Sequence, residues 1–244
     1  MKAEEKNIIY NLLKTSDSFI NGFSSPKFLK TPVFSDDIDT QEPQQENKSS
    51  DQTADDSKLS IATLSAKIQR CTRCQLARTR TNVVPGMGVE NPDVIVIGEG
   101  PGYDEDMQGL PFVGRAGILL DKMLGAIELS RKTNCYIANI VKCRPPHNRD
   151  PLPEEQNSCI GFLEAQISLL KPKMILCMGR VAGHKLLNNE LPMNQLHGKF
   201  FSYKDIPLMV TYHPSALLRD EALKRPAWDD LKGFKLKLDE LRTK

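Results

Sequence analysis

The 244-residue sequence has few cysteines and no long hydrophobic run, and both shortages exclude whole classes of protein. The mean hydropathy is −0.40, and no apolar stretch approaches the roughly 18 residues that a membrane-spanning helix requires. The first residues lack the apolar segment and cleavage site of a secretory signal. Six cysteines are too few to hold a chain of this length as a disulfide scaffold. We therefore expect a cytoplasmic protein without a membrane partner, whose reduced thiols are available to a metal or cluster.

The net charge of +2 conceals an uneven distribution along the chain. Residues 1–30 carry five Lys and three acidic residues, whereas residues 31–58 carry two Lys and eight acidic residues, which leaves the rest at +6. The acidic stretch has few large apolar side chains, so it cannot bury enough surface to offset the entropy of ordering. We predict an N-terminal helical segment over 1–30, a disordered acidic linker over 31–58, and a basic domain over 59–244 that favours a polyanion.

Residues 3–23 place apolar side chains at helical spacing and predict an amphipathic helix. Two interpretations of this helix stay open. It either docks on the basic domain as a cap, or it binds a protein partner from the end of the acidic linker. The sequence does not choose between them.

From residue 59 onward, short β-branched apolar runs alternate with amphipathic stretches. The runs, which predict buried strands, lie at residues 94–97, 136–140, 174–177 and 208–211. The amphipathic stretches, which predict helices, lie at residues 61–68, 115–125, 154–170, 180–187 and 226–241. This alternation predicts an α/β fold with three α/β/α layers around a central four-stranded parallel sheet.

A polar motif follows each of the four predicted strands. The motifs are Gly98-Glu99-Gly100-Pro101-Gly102, Asn139 to Lys142, Gly179-Arg180, and His213-Pro214-Ser215. Parallel strands bring their carboxyl ends to one edge of a sheet, where open α/β folds bind ligands. We therefore expect one crevice that collects a carboxylate, an amide, an imidazole and glycine-rich backbone.

The glycine motif after the first strand does not match a nucleotide-binding loop. Its spacing is G-x-G-x-G rather than G-x-G-x-x-G, and no Gly-Lys-Ser/Thr follows. Acidic residues 104–106 lie where a pyrophosphate would need a helix N-terminus. The motif is either a tight strand exit with a solvated Glu99 or a loop that lets a ligand approach the backbone.

Three further residues each allow a structural and a functional interpretation. Phe112, in Gly-Leu-Pro-Phe-Val-Gly, is either a core residue or a stacking platform for a flat ligand. Asn139, among apolar neighbours, either ties down a nearby loop or reads the edge of a ligand. His213 ends the fourth strand, and Pro214 keeps it out of helical geometry, which favours a functional role.

The six cysteines fall into two groups. Cys135 and Cys177 lie in or beside apolar strands, which is typical of inert buried thiols. The other four are a C-x2-C pair and two separate thiols, namely Cys71, Cys74, Cys143 and Cys159. This set fits either a tetrahedral Zn²⁺ or a [4Fe–4S] cluster, and spacing alone does not choose between them. Four unrelated thiols are the remaining alternative.

Taken together, these motifs resemble the family 4 uracil-DNA glycosylases, the iron–sulfur branch of that superfamily. The matching stretches, spread over residues 71–231, are Cys71-x2-Cys74, GEGPGYDEDMQGLPFVGRAG, NIVKCRPPHNRDPLPEE with Cys159, MGRVAG, and TYHPSALLR. The resemblance leaves out the first 58 residues. It implies a [4Fe–4S] cluster on the four cysteines and hydrolysis of the N-glycosidic bond of deoxyuridine, which leaves an abasic site.

The resemblance also implies how uracil is recognised. Phe112 would stack on a uracil flipped out of the DNA helix, and the Asn139 amide would pair with uracil O4 and N3–H. Backbone N–H groups near Gly100 would meet a uracil carbonyl. Glu105 would lie near uracil C5 and exclude the methyl group of thymine.

Catalysis and DNA contacts follow from the same resemblance. Glu99 would position or deprotonate the attacking water or stabilise the sugar cation, and His213 would donate to uracil O2 as negative charge grows there. The expected DNA-backbone contacts are Pro101, Gly102, Gly179, Arg180, Ser215 and Arg219. Leu217 would enter the gap that the flipped nucleotide leaves. We expect a monomer that acts on single- or double-stranded DNA containing uracil and is nucleoid-associated when bound.

Two other classes of function are weaker alternatives. A DNA-binding module without turnover would not need Glu99, Asn139 and His213 together. An iron–sulfur electron carrier would not need Cys143 among Lys and Arg, and the sequence has no flavin or nicotinamide loop.

Overall fold

A computed structural model describes residues 60–243 of the chain. The boundary predicted after residue 30, the acidic linker and the helix predicted over residues 3–23 lie outside the described residues. Within the described range, no helix is both long enough and apolar enough to cross a lipid bilayer.

Six strands form one sheet in residues 60–243. They are β1 (Met87–Gly88), β2 (Val94–Gly98), β3 (Cys135–Asn139), β4 (Met174–Met178), β5 (Phe200–Tyr203) and β6 (Ile206–Thr211). Their order across the sheet is β1-β3-β2-β4-β6-β5. The central strands β3, β2, β4 and β6 run parallel, whereas β1 and β5 pair antiparallel at the two edges. The predicted four-stranded parallel core is confirmed.

The two edge strands were not predicted because neither has a continuous apolar run. β1 has only two residues, and β5 alternates exposed and half-buried positions. Continuous burial is the pattern of strands covered on both faces, and only the central strands have it.

Residues 60–243 also contain eight α-helices. They are α1 (Ile61–Gln69), α2 (Tyr103–Gln108), α3 (Arg115–Gly125), α4 (Pro153–Leu170), α5 (Arg180–Leu187), α6 (Met193–Leu196), α7 (Pro214–Arg219) and α8 (Lys224–Arg242). The five helices predicted from periodicity correspond to α1, α3, α4, α5 and α8. The other three have at most six residues, which is too short for a periodic pattern to stand out.

Each face of the sheet has its own hydrophobic core. On β2, Ile95 and Ile97 pack in a cluster with residues of α1 and α4, whereas Val94 and Val96 pack in a second cluster with residues of α3 and α8. Each fully buried Val, Leu or Ile contributes roughly 1.5–3 kcal/mol to the free energy of unfolding. Helices therefore cover both faces of the sheet, and the predicted three-layer arrangement is confirmed.

The start of α4 fixes the segment that leads away from β3. Glu155 accepts a hydrogen bond from the Leu152 N–H at 2.8 Å and binds the Arg149 guanidinium through two N–H groups at 2.8 and 2.7 Å. The hydrogen bond from Arg149 is the main cause of the lowered pKa of Glu155. This bidentate contact holds Arg149 against α4 and places the next residue, Asp150, at the carboxyl edge of the sheet.

Candidate active site

The carboxyl ends of β2, β3, β4 and β6 surround one cavity of about 500 Å³, here called the edge cavity. Its volume is within the usual range for a small-molecule pocket. The residues predicted for catalysis and base recognition all line it: Glu99, Gly100, Glu105, Phe112, Asn139 and His213. Six of the seven predicted DNA contacts also line it: Pro101, Gly102, Gly179, Arg180, Ser215 and Arg219. The parallel sheet thus collects motifs that lie far apart in the chain.

Phe112 forms one wall of the edge cavity in an unusual backbone conformation. Its φ angle is +52°, and two N–H groups of Arg131 bind the carbonyl oxygens of Pro111 and Phe112 at 2.7 and 2.9 Å. A Cβ on Gly117 would lie only 2.0 Å from the Phe112 carbonyl oxygen, so this glycine is required for the turn. The ring lies 5.5 Å from the His213 ring, centroid to centroid. Phe112 is therefore both a core residue and a flat wall.

Asn139 lines the edge cavity and has an unpaired amide oxygen. The residue is 2% exposed, and its Oδ1 atom has no hydrogen-bond partner within residues 60–243. A Cβ on Gly98 would lie 2.5 Å from this oxygen and 2.6 Å from the Phe112 ring, so only glycine leaves room for both side chains. A buried unsatisfied polar atom costs about 1–3 kcal/mol. This favours the interpretation in which Asn139 reads a ligand over the one in which it ties down a loop.

Glu99 follows β2 and is a carboxylate with an unusual affinity for protons. Burial is the main cause and the negative charge of Asp150 the second cause of a pKa raised to about 7, whereas Arg180 acts in the opposite direction. Arg180 and Asp150 form an ion pair at 2.8 Å, with both side chains about half exposed. Asp150 could not be predicted from the sequence, because only the folded chain brings it close to Glu99.

The imidazole of His213 is held in one tautomer by the start of α7. Its Nδ1 atom accepts a hydrogen bond from the Ser215 backbone N–H at 3.1 Å and lies 2.8 Å from the Ser215 hydroxyl. A backbone N–H can only donate, so the network assigns the ring proton to Nε2. Burial of the ring, together with the charge of Arg219, lowers the pKa of His213 to about 4. His213 is therefore a neutral donor at physiological pH.

Glu105 has three backbone partners that its predicted role did not include. Its two carboxylate oxygens accept hydrogen bonds from the N–H groups of Gly102, Val113 and Gly114 at 3.1, 2.8 and 2.9 Å. The side chain therefore joins the glycine motif to the turn that carries Phe112. It also lines the edge cavity, and its predicted contact with uracil C5 stays a prediction.

Leu217, the residue predicted to enter the DNA, is buried in this structure. It lies on the inner side of helix α7 with 3% of its surface exposed. The next residue, Leu218, is 40% exposed. A helix of six residues turns neighbouring side chains about 100° apart, so the two leucines face different surroundings.

Four cysteines line a second, smaller cavity; Cys71, Cys74, Cys143 and Cys159 are here called the cysteine site. All four are free thiols. The Cys143 sulfur accepts a hydrogen bond from Arg80 at 2.9 Å, and the Cys159 sulfur accepts one from the Lys142 backbone N–H at 3.3 Å. Cys135 and Cys177 are buried elsewhere in the sheet, as predicted.

The chemistry of the cysteine site fits an anionic group that contains metal. Sulfur atoms that line one cavity and accept hydrogen bonds from a guanidinium and an amide match thiolate ligands. Within residues 60–243, no three His, Cys, Asp or Glu side chains are close enough together to bind a single metal ion. A polynuclear cluster binds each thiolate at a different metal atom, so its ligands lie farther apart than the ligands of one zinc ion.

Comparisons with known proteins identify the family of this chain. The sequence model of the uracil DNA glycosylase superfamily matches residues 85–232. A type-4 uracil-DNA glycosylase of Archaeoglobus fulgidus is 40% identical over 174 residues, which cover 68% of this chain and 87% of that protein. A type-4 uracil-DNA glycosylase of Thermotoga maritima is 42% identical over 183 residues, which cover 70% of this chain and 91% of that protein. The chain therefore belongs to the uracil DNA glycosylase superfamily, in its type-4 family.

Proposed function

We propose that the protein removes uracil from DNA by hydrolysing the N-glycosidic bond of deoxyuridine, which leaves an abasic site for base excision repair. The unpaired Oδ1 of Asn139, a residue that lines the edge cavity, is the observation that carries this proposal, because the atom can accept a hydrogen bond from a ligand donor. The flat wall of Phe112 and the neutral donor His213 lie beside it.

Uracil complements the Asn139 amide, whereas cytosine does not. The Oδ1 atom can accept from uracil N3–H while the amide nitrogen donates to uracil O4. Cytosine has an acceptor at N3 and a donor at its exocyclic amine, so both hydrogen bonds would be lost at about 1–3 kcal/mol for each unpaired group. The base reaches the cavity only after it leaves the DNA stack, at a cost of a few kcal/mol.

His213 supports departure of the base. Its Nε2–H is free to donate, because Ser215 occupies Nδ1. As the glycosidic bond breaks, negative charge develops on uracil O2, and a fixed donor there lowers the barrier by about 3 kcal/mol. The neutral imidazole donates a hydrogen bond but does not transfer its proton. Uracil therefore leaves as an anion that this hydrogen bond stabilises.

Glu99 acts on the sugar side of the reaction. A carboxylate at this position can accept a proton from the attacking water or stabilise the positive charge of the oxocarbenium-like sugar. Both roles need the ionised form, which a pKa of about 7 makes available from neutral pH upward.

The rim of the edge cavity is suited to DNA phosphates. The N-terminus of α5, at Gly179 and Arg180, lies at this rim, and backbone N–H groups at a helix start are suited to a phosphate. Arg180 is half exposed and bound only to Asp150 among the described residues, so a phosphate can replace that partner. We assign the role of wedge in the DNA stack to Leu218, the exposed leucine of α7.

The cysteine site would hold a [4Fe–4S] cluster through Cys71, Cys74, Cys143 and Cys159. Glycosidic hydrolysis transfers no electrons, so the bound cluster would supply a cross-link between the segment after α1, the segment after β3, and α4. The catalytic domain would act as a monomer over residues 59–244, in the cytoplasm and on nucleoid DNA. Residues 1–30 and 31–58 would add a helical segment and an acidic tether.

The test is release of free uracil from an oligonucleotide that contains one deoxyuridine. The full-length protein should release uracil from single- and double-stranded substrates, and no base from matched cytosine or thymine oligonucleotides. His213→Ala should lower the single-turnover rate about 100-fold. Glu240→Gln, which changes an exposed carboxylate of α8, is the matched control for Glu99→Gln and should leave the rate unchanged. Binding of uracil-DNA by cluster-loaded protein without an abasic product would refute the proposal.

A further inference from the structure

A buried lysine lies between the edge cavity and the cysteine site. Lys142 is 1% exposed, and its Nζ atom donates to the Asn139 carbonyl oxygen at 2.8 Å and to the Gln166 Oε1 atom at 2.7 Å. No carboxylate forms an ion pair with this ammonium anywhere in residues 60–243. A buried charge without a counter-ion is costly in free energy, so another interaction must stabilise it.

The position of the ammonium is fixed from the side of α4. Gln166 is fully buried, and its Nε2 atom donates to the Pro85 carbonyl oxygen at 2.8 Å. That bond orients the amide so that Oε1 faces Lys142. The lysine is therefore directed at the main chain of Asn139 by a second buried residue, rather than being free to choose a rotamer.

The main chain of the same lysine contacts the cysteine site. Its N–H donates to the Cys159 sulfur at 3.3 Å, and the next residue is Cys143. Its carbonyl oxygen accepts from the Val84 N–H at 2.8 Å. One residue thus bonds a predicted cluster ligand through its backbone and the base-reading residue Asn139 through its side chain.

A cluster bound at the cysteine site would supply the missing counter-charge. Four thiolates outweigh the positive charge of an iron–sulfur core, so the site is anionic when a cluster is bound. A nearby anion makes a buried ammonium favourable in the low dielectric of the protein interior.

We propose that Lys142 is a positioning residue that couples the loaded cysteine site to uracil recognition. The anionic site retains the ammonium, the ammonium holds the Asn139 main chain, and the Asn139 amide is thereby aimed at the base. The inference rests on the proposed function, since it assigns the geometry of the uracil-reading amide. It predicts that Lys142 acts only through Asn139.

A double-mutant cycle tests this coupling by binding rather than by turnover. The probe is an oligonucleotide with 2′-fluoro-2′-deoxyuridine, which resists hydrolysis. Lys142→Met keeps the length of the side chain and removes its charge, and should weaken binding about tenfold, or 1.4 kcal/mol. In the Asn139→Ala background the same substitution should change affinity less than twofold. Lys204→Met, at an exposed lysine, is the control and should have no effect.

A second measurement follows the cluster itself. Loss of a nearby cation makes reduction of an anionic cluster harder, so Lys142→Met should lower the cluster midpoint potential, and Lys204→Met should not. Where Lys142→Met does not fold, Gln166→Leu releases the ammonium instead and should give a smaller effect of the same sign on both measurements.

The outcomes separate the two proposals. If the wild type releases uracil but Lys142→Met weakens binding equally with and without Asn139, the lysine is merely structural and the inference is overturned. An unchanged midpoint potential overturns the link to the cysteine site. If the wild type releases no uracil, the proposed function fails, and that assay does not involve any Lys142 variant.

Discussion

The proton affinity of Glu99 predicts a rising pH profile for uracil release. With a pKa of about 7, the carboxyl group is about one-tenth ionised at pH 6 and about nine-tenths ionised at pH 8. If the carboxylate is the active form, the single-turnover rate should rise about tenfold over this interval. His213, whose pKa is about 4, stays neutral throughout and adds nothing to the profile.

Replacing Asp150 should move this profile in a defined direction. Asp150→Asn removes the negative charge that raises the pKa of Glu99 and leaves Arg180, which lowers it. The rising limb should therefore move to lower pH, and the variant should keep a larger share of its own maximal rate at pH 6. The assay is single-turnover release with saturating enzyme between pH 5.5 and 9, because saturation removes any change in DNA affinity.

Ionisation of Glu99 should also affect protein stability, but in the opposite direction: the ionised form favours activity, whereas the protonated form favours the folded state. The pKa of Glu99 is higher in the folded state than its ordinary 4.5, so the native protein binds the proton more tightly than the unfolded chain. The stabilising contribution of the protonated group is present below pH 4.5 and is lost as pH rises through 7. Glu99→Gln should therefore be more stable than the wild type at pH 8 and less different at pH 5, as measured by denaturant unfolding.

Two results would refute this reasoning. A rate that is flat between pH 6 and 8 would mean that ionisation of Glu99 does not limit the reaction. A limb that stays in place in Asp150→Asn would mean that the Asp150 charge does not reach Glu99.

Three other predictions follow from the geometry. Gly98→Ala should displace both Asn139 and the Phe112 ring, because its Cβ would overlap them, and uracil release should fall at least tenfold while DNA binding by filter assay changes little. Leu217→Ala should cost about 2–5 kcal/mol of unfolding free energy. Leu218→Ala should change stability by less than about 0.5 kcal/mol and weaken excision from double strands; equal effects of the two leucine variants on stability would contradict the assignment. Cys143→Ala should abolish the visible absorption of the purified protein, whereas Cys177→Ala should retain it.

The sequence predicted the parts of this fold that depend on local periodicity. The continuous apolar run at β2 and the helical spacing in α4 identify their elements without knowledge of the fold. The rule that parallel strands end at one edge then places Glu99, Asn139 and His213 together from the sequence alone.

What the sequence did not predict depends on contacts between distant segments. The positive φ of Phe112 depends on Gly117 and Arg131, and it cannot be predicted from the phenylalanine itself. The orientation of Leu217 depends on a short helix that began at a proline after a strand. Asp150 acts on Glu99 through space, from a loop that Glu155 fixes.

The three backbone bonds of Glu105 suggest how the cavity would reject thymine, as predicted for this residue. Thymine differs from uracil by one methyl group, and a wall that yields would admit it at little cost. Glu105 stiffens two otherwise independent turns by occupying their N–H groups before any base arrives. A methyl group would then be rejected because the cavity wall cannot move to admit it. Loss of the Glu105 hydrogen bonds should make the two turns more mobile and widen the range of bases that the protein accepts, even where no contact with the base is lost.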